Sequence, residues 1–296
     1  MKNILCPHWQ FGLNRAVALL ALVGSVTVFA DMMKDSPVKF PDKGPLKAKW
    51  PPDVKTEQRS PEKDYSIFGT PQRSLEQIAK IQAEMPKGEF TPPKPDWTHL
   101  KRTRRILTEG GELHLLAMGD SIVADTMRSA WLAKLAEAYP KAKIRGTVYV
   151  RGGGGCQHYK EEGRIQKNVV PLKPDLMFIG GISQKDIASI REVIGQLRAA
   201  LPDVEILLFT GTFGTTDPRS PEELAKDKRS GAGEYGVALQ RLAAEQRCGF
   251  ANMTLPWAEY IRSTKLHPHV FYRDRVHANE IGEQILSKIL MEFFKP

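Results

Sequence analysis

The sequence predicts an α/β fold, a three-layer α/β/α domain around a doubly wound, mostly parallel five-stranded sheet of the flavodoxin-like type. Three observations lead there. From Glu112 onward short apolar runs alternate with stretches of helical periodicity. The apolar runs are short and continuous, as expected of strands covered on both faces. The roughly 186 residues from 111 to 296 are ample for one such domain. The first strand is expected near 112–118, where Leu113 to Met118 is almost wholly apolar, and Ile122 to Tyr139 follows with helical spacing. The same alternation places strands near 144–150, 175–180, 204–210 and 249–253, and helices near 158–168, 185–200, 231–247 and 278–294. In the last helix Ile281, Ile285, Leu286, Ile289, Leu290 and Phe293 mark one apolar face.

Ahead of this domain the composition changes twice. Residues 1–30 read as an export signal: Lys2 and Arg15 lead into the apolar stretch Ala16 to Ala30, which ends Val28-Phe29-Ala30, a small-residue cleavage pattern. About 20 apolar residues are needed to span a bilayer, so this stretch is too short for a comfortable anchor, and no transmembrane segment is expected after cleavage. Residues 31–110 form a Pro-rich basic extension; 11 of the 21 prolines lie between 31 and 96. It is expected to wrap or tether the domain, with short helices at Ser74 to Met85 and at Thr98 to Thr108, the latter capped by Asp96. The chain carries a net charge of +9. Between residues 31 and 110 there are 16 Lys/Arg against 12 Asp/Glu, a surplus suited to anionic polymers or to a solvated face. The Lys101, Arg102, Arg104, Arg105 cluster has no interleaved aromatics, which argues against nucleic acid as a partner.

Gly119-Asp120-Ser121 stands at the first strand-to-helix junction, where helix N-H groups are unpaired and ligands of open α/β sheets bind. Asp120 or Ser121 could serve there simply as a helix cap. A second motif shifts the balance: Asp274 and His277 form a D-x-x-H just before the last helix. A hydroxyl, an imidazole to take its proton and a carboxylate to orient the imidazole are the parts of a nucleophilic acyl-transfer site. Asp96 and His99 repeat the D-x-x-H spacing, but they precede the first strand of the domain.

The order of these motifs resembles the SGNH hydrolases, or GDSL esterases and lipases, over roughly residues 111–296. That family shows G-D-S, a loop glycine after the second strand, a G-x-N-D block after the third, and a terminal D-x-x-H. The resemblance implies that Ser121 is the nucleophile, that His277 is the base and that Asp274 orients it. The loop glycine falls within Gly152 to Gly155, with Gly153 and Gly154 as oxyanion donors beside the Ser121 N-H. The third block departs from the pattern, because Gly180-Gly181-Ile182-Ser183-Gln184 lacks the Asn whose amide serves the oxyanion. Ser183 or Gln184 replaces it, or backbone N-H groups carry the hole alone. The implied substrates are small acyl esters, often O-acetyl groups on carbohydrate. Rival readings are an O-acyltransferase using the same acyl-enzyme and a non-catalytic carbohydrate-binding protein that retains the fold.

Other chemistries find little support. The run Gly152 to Gly155 has neither P-loop nor dinucleotide spacing. His267 and His269 lack the Cys or carboxylate partners of a metal site, and no metal or cofactor is expected. Cys156, beside His158, could be weighed as a nucleophile, and with Cys248 it could form a disulfide in an exported protein. Trp257, Tyr260, Phe271 and Tyr272 could stack on sugar rings or anchor the core.

Overall fold

Alternate residues of each central strand enter opposite cores, and this period of two divides the molecule into its layers. The computed structural model describes residues 58–59, 65–70, 73–161, 163–184 and 186–296. The export signal expected over 1–30 lies outside the described residues. In β3 (Gly111–Gly119), Leu113, Leu115 and Ala117 face one core while Leu116 and Met118 face the other. The same split separates Phe178 from Met177 and Ile179 in β5 (Leu176–Gly180), and Leu207 and Phe209 from Ile206 and Leu208 in β6 (Glu205–Phe209).

These three strands pair in parallel with β4 (Ala142–Arg151) and β7 (Gly249–Ala251) in the order β4-β3-β5-β6-β7. Five parallel strands were expected, and they form the centre. Among the described residues the sheet nevertheless has seven strands, because the extension adds β1 (Gln58–Arg59) and β2 (Tyr65–Gly69) as an antiparallel margin beside β4. Periodicity could not show them, since so short an edge segment carries too few residues to establish a pattern.

The face holding Leu115 and Phe178 is covered by α3 (Ser121–Arg128), α4 (Trp131–Ala138), α10 (Thr254–Thr264) and α11 (Glu280–Phe293). The other is covered by α5 (Cys156–Tyr159), α6 (Arg164–Asn168), α7 (Ile187–Ala200) and α9 (Glu234–Glu245). Two expected helices are broken. The one over 122–139 is interrupted at Ala130, whose φ is +56°, and the Ser129 carbonyl preceding it accepts the side-chain amide of buried Gln284 at 2.9 Å. The one over 158–168 is divided at Gly163, at φ +65°.

From the extension, α1 (Leu75–Glu84) lies against α11, where Gln82 donates to Gln284 at 3.0 Å. The other extension helix, α2 (Lys101–Glu109), begins later than expected, and Asp96 does not cap it. The Asp96 carboxylate accepts the Thr98 N-H at 2.9 Å in a local turn, while Glu205 accepts the N-H groups of Arg102 and Thr103, each at 2.7 Å. A residue distant in sequence thus supplies the helix cap. The small helix α8 (Pro221–Lys226) completes the set, and no helix among the described residues is long and apolar enough to cross a membrane.

Candidate active site

The strand order places β3 beside both β4 and β5, so the carboxyl end of β3 lies at the point where the chain reverses its direction of winding, where such sheets bind ligands. Gly119 ends β3 so close to β5 that a Cβ there would lie 2.3 Å from the Gly180 carbonyl oxygen. Asp120 follows as the N-cap of α3, its Oδ1 accepting the Ile122 N-H at 2.9 Å. Its Oδ2 accepts the N-H groups of Ile182 at 2.8 Å and Ser183 at 2.7 Å, tying this turn to the loop after β5. Gly181, at φ +106°, admits that carboxylate, since a Cβ would stand 2.4 Å from Asp120 Oδ1. Burial pushes the Asp120 carboxyl up, against these donors. Asp120 therefore does cap the helix, and Ser121 is left as its first residue with a hydroxyl free of that duty.

The second motif closes on the first. Asp274 Oδ1 accepts the N-H groups of Val276 and His277, both at 2.9 Å, which folds D-x-x-H into a tight turn. Arg273 N donates to the His277 carbonyl at 3.1 Å, and Tyr272 bridges Ala278, so the loop is closed at its base. The turn brings His277 Nδ1 to 2.8 Å from Asp274 Oδ2, and His277 Nε2 lies 2.7 Å from Ser121 Oγ. An N-H at Nδ1 facing the carboxylate leaves Nε2 as the acceptor toward the serine hydroxyl, the tautomer a general base requires. Burial opposes ionisation of Asp274, but the Val276 N-H, the imidazole and the His277 N-H outweigh it and hold the carboxyl below its ordinary value.

The proposed oxyanion donors do not all converge. The N-H of Ser183 is committed to Asp120, and so is its hydroxyl. Gln184 is 3% exposed, its amide donating to the Gly180 carbonyl at 3.1 Å and accepting the Cys156 N-H at 2.9 Å. The Gly154 N-H closes a turn onto the Arg151 carbonyl at 2.9 Å. The Ser183 N-H, one Gln184 amide N-H and the Gly154 N-H are thus engaged in holding the loops. The N-H groups of Ser121 and Gly153 have no hydrogen-bond partner among the described residues.

Other readings are settled by burial. Cys156 and Cys248 are free thiols, both buried, and burial pushes them up to about 12 and about 11, so they form no disulfide and Cys156 is a poor nucleophile. Trp257, Tyr260, Phe271 and Tyr272 are all at most 2% exposed and belong to the core, which excludes them from stacking on a sugar. Among the described residues no group of three or more metal-ligating side chains is found. Sequence reasoning missed the buried charges Asp125, Arg128, Arg273 and Glu283 next to the site; an Asp and an Arg three apart on a helix, as Asp125 and Arg128 are, read as a solvated face, and only burial distinguishes them.

No family model matches the chain, and no curated protein does. Solved structures do. A catalytic mutant of the acetylxylan esterase Axe2 from Geobacillus stearothermophilus is similar at 19% identity with a TM-score of 0.51, over 63% of this chain and 96% of that one. A two-domain esterase active on acetylated mannans is similar at 12% identity with a TM-score of 0.53, over 70% of this chain and 54% of that one. With its parallel strands in the order β4-β3-β5-β6-β7 and its serine turn at the point of reversal, the chain has the SGNH/GDSL hydrolase-like fold.

Proposed function

We propose that the protein is an exported serine hydrolase of carboxylic esters that removes short acyl groups, chiefly O-acetyl groups, from carbohydrate. The observation that carries this reading is the hydrogen-bonded line from Asp274 through His277 to Ser121. Ser121 Oγ attacks the ester carbonyl as His277 Nε2 takes its proton, and the new C-O bond gives a tetrahedral oxyanion. The oxyanion accepts from the Ser121 N-H, with the Gly153 N-H as second donor. His277 then protonates the departing sugar oxygen, and the acyl-enzyme remains. Water attacks it in turn, His277 again taking and returning the proton, and the free acid leaves. Asp274 stabilises the imidazolium at both stages.

Two observations favour a short acyl group on a sugar. The fold neighbours are esterases of acetylated xylan and mannan by their names. A cavity of about 170 Å³ beside the His277 loop is lined by Ile182, Phe213, Leu224, Trp257 and Val276 together with the polar and charged Thr215, Thr216, Asp227, Arg229, Ser230, Thr254 and Arg275. A cavity of about 150 Å³ accommodates a benzene-sized group, so a long acyl chain does not fit within it. Acetate release from acetylated xylan and mannan, with 4-nitrophenyl esters of increasing chain length in parallel, tests the reading. Acetate release and a steep fall beyond short esters are expected. Preference for long-chain esters would make it a lipase, and transfer to a sugar hydroxyl without acetate release would make it an acyltransferase.

A further inference from the structure

One turn along α3 from Ser121, Asp125 is 0% exposed and faces the loop that carries His277. Its Oδ1 accepts from Arg273 Nη2 at 2.8 Å, and its Oδ2 accepts the Ala278 N-H at 3.2 Å. Arg273 and Ala278 directly flank the Asp274 to His277 turn, and Arg273 Nη1 also donates to the Ala278 carbonyl. A single carboxylate on the nucleophile's helix thus grips both ends of the loop bearing the base. Arg128, one further turn along, donates to Asp125 and, through Nε at 3.0 Å, to Glu283 Oε1 on α11. Arg273 Nη1 stands 3.7 Å from the same Glu283 oxygen. The side chains of Asp125, Glu283, Arg128 and Arg273 are 1%, 3%, 5% and 11% exposed.

Buried ion pairs seldom add net stability over well-packed apolar side chains, because desolvating each charge consumes most of the attraction. Their directional, two-pronged geometry does something apolar contacts cannot, which is to specify one register between the elements they join. Here those elements are the helix that begins with the nucleophile, the loop that holds the base, and the helix that follows. We infer that Asp125 and Arg273, braced by Arg128 and Glu283, are positioning residues that hold His277 Nε2 within reach of Ser121 Oγ.

This inference rests on the proposed role of Ser121 and His277, and the test separates the two. Wild type, Arg273→Gln, Arg273→Lys and Arg102→Gln are compared by the rate at which a serine-directed fluorophosphonate labels Ser121, and by kcat and KM on 4-nitrophenyl acetate. Circular dichroism and melting curves give the folded fraction. Arg102 pairs with Asp175 at 2.5 Å, so Arg102→Gln removes an ion pair outside the site. Misplacing a reacting group by about 1 Å can cost about 10²-fold. Arg273→Gln should accordingly lose about 10²-fold in labelling rate and kcat per folded molecule, with KM within about twofold of wild type. Arg273→Lys keeps the buried positive charge without the fork, so it should fold and fall between wild type and Arg273→Gln. Arg102→Gln should react as wild type. Arg273→Gln or Arg273→Lys labelled and turning over at the wild-type rate would overturn the inference while leaving the serine mechanism in place, and so would equal slowing in Arg102→Gln. A wild-type protein that neither labels at Ser121 nor hydrolyses the ester would overturn the mechanism itself.

Discussion

His277 Nε2 lies 2.7 Å from Ser121 Oγ although 156 positions separate them in the chain. The contact is made because the last helix packs against α3 and α4, the two helices that follow β3, with Asp274 holding the imidazole from behind. Ser121→Ala and His277→Ala should each lower kcat by about 10³-fold or more, measured on a short chromogenic ester, while His99→Ala keeps most activity. Full activity in Ser121→Ala would remove the nucleophile from the scheme.

Asp274→Asn tests the tautomer. An amide facing Nδ1 can present its N-H and reverse the imidazole, leaving Nε2 protonated, a change that costs about 10⁴-fold in kcat in serine proteases. Because the Asp274 carboxyl is held below 3.8 in the fold, its contribution to stability is fully present above that pH. The contribution is lost as pH falls through the lower folded value. Urea titrations of wild type and variant should therefore differ most above pH 4 and converge in stronger acid.

Thiol chemistry should be silent in the native protein. With Cys156 pushed up to about 12 and Cys248 to about 11 by burial, only about one thiol in 10³ or fewer is ionised at pH 8. Iodoacetamide should label neither until denaturant is added, as mass spectrometry would show, and activity should survive the reagent. Rapid native labelling of Cys156 would contradict its placement.

Burial, reinforced by the Asp125 carboxylate, pushes Glu283 up to about 7 against the guanidiniums of Arg128, Arg73 and Arg273. Between its ordinary 4.5 and about 7 the folded chain holds a proton that the unfolded chain releases, so this group makes stability fall as pH rises through that window. Glu283→Gln should flatten that part of the stability curve. An unchanged slope between pH 5 and pH 7 would show that Glu283 ionises in its ordinary range.

Truncation to residue 97 should damage the fold. It removes Ile67, Phe68, Ile78 and Met85, all at most 6% exposed, together with Arg73, which pairs with Glu283 at 3.3 Å. Each buried apolar side chain is worth about 1.5 to 3 kcal/mol, and the melting temperature should drop by about 10 °C or more. A truncated chain melting with wild type would make this segment a passive tether.

The sequence by itself determined the five parallel strands, most of the helices on their faces though not α10, and the two motifs that meet at Ser121 and His277. Those features are local: a buried strand needs a short apolar run, an amphipathic helix a 3.6-residue period, and a D-x-x-H turn only the N-H groups of its own residues. Tertiary structure decided the rest. Ala130 breaks its helix with neither Pro nor Gly because Gln284 takes the Ser129 carbonyl, and Glu205 caps a helix about a hundred residues away. Ser183 and Gln184 read as oxyanion donors in one dimension, and in the fold Ser183 donates to Asp120 while Gln184 donates to Gly180 and accepts from Cys156. Asp125, Arg128, Arg273 and Glu283 look like surface charges in one dimension. The reason is common to all of them: a polar group's role depends on which partner reaches it and whether water is excluded, and both follow from contacts between segments that only the folded chain brings together.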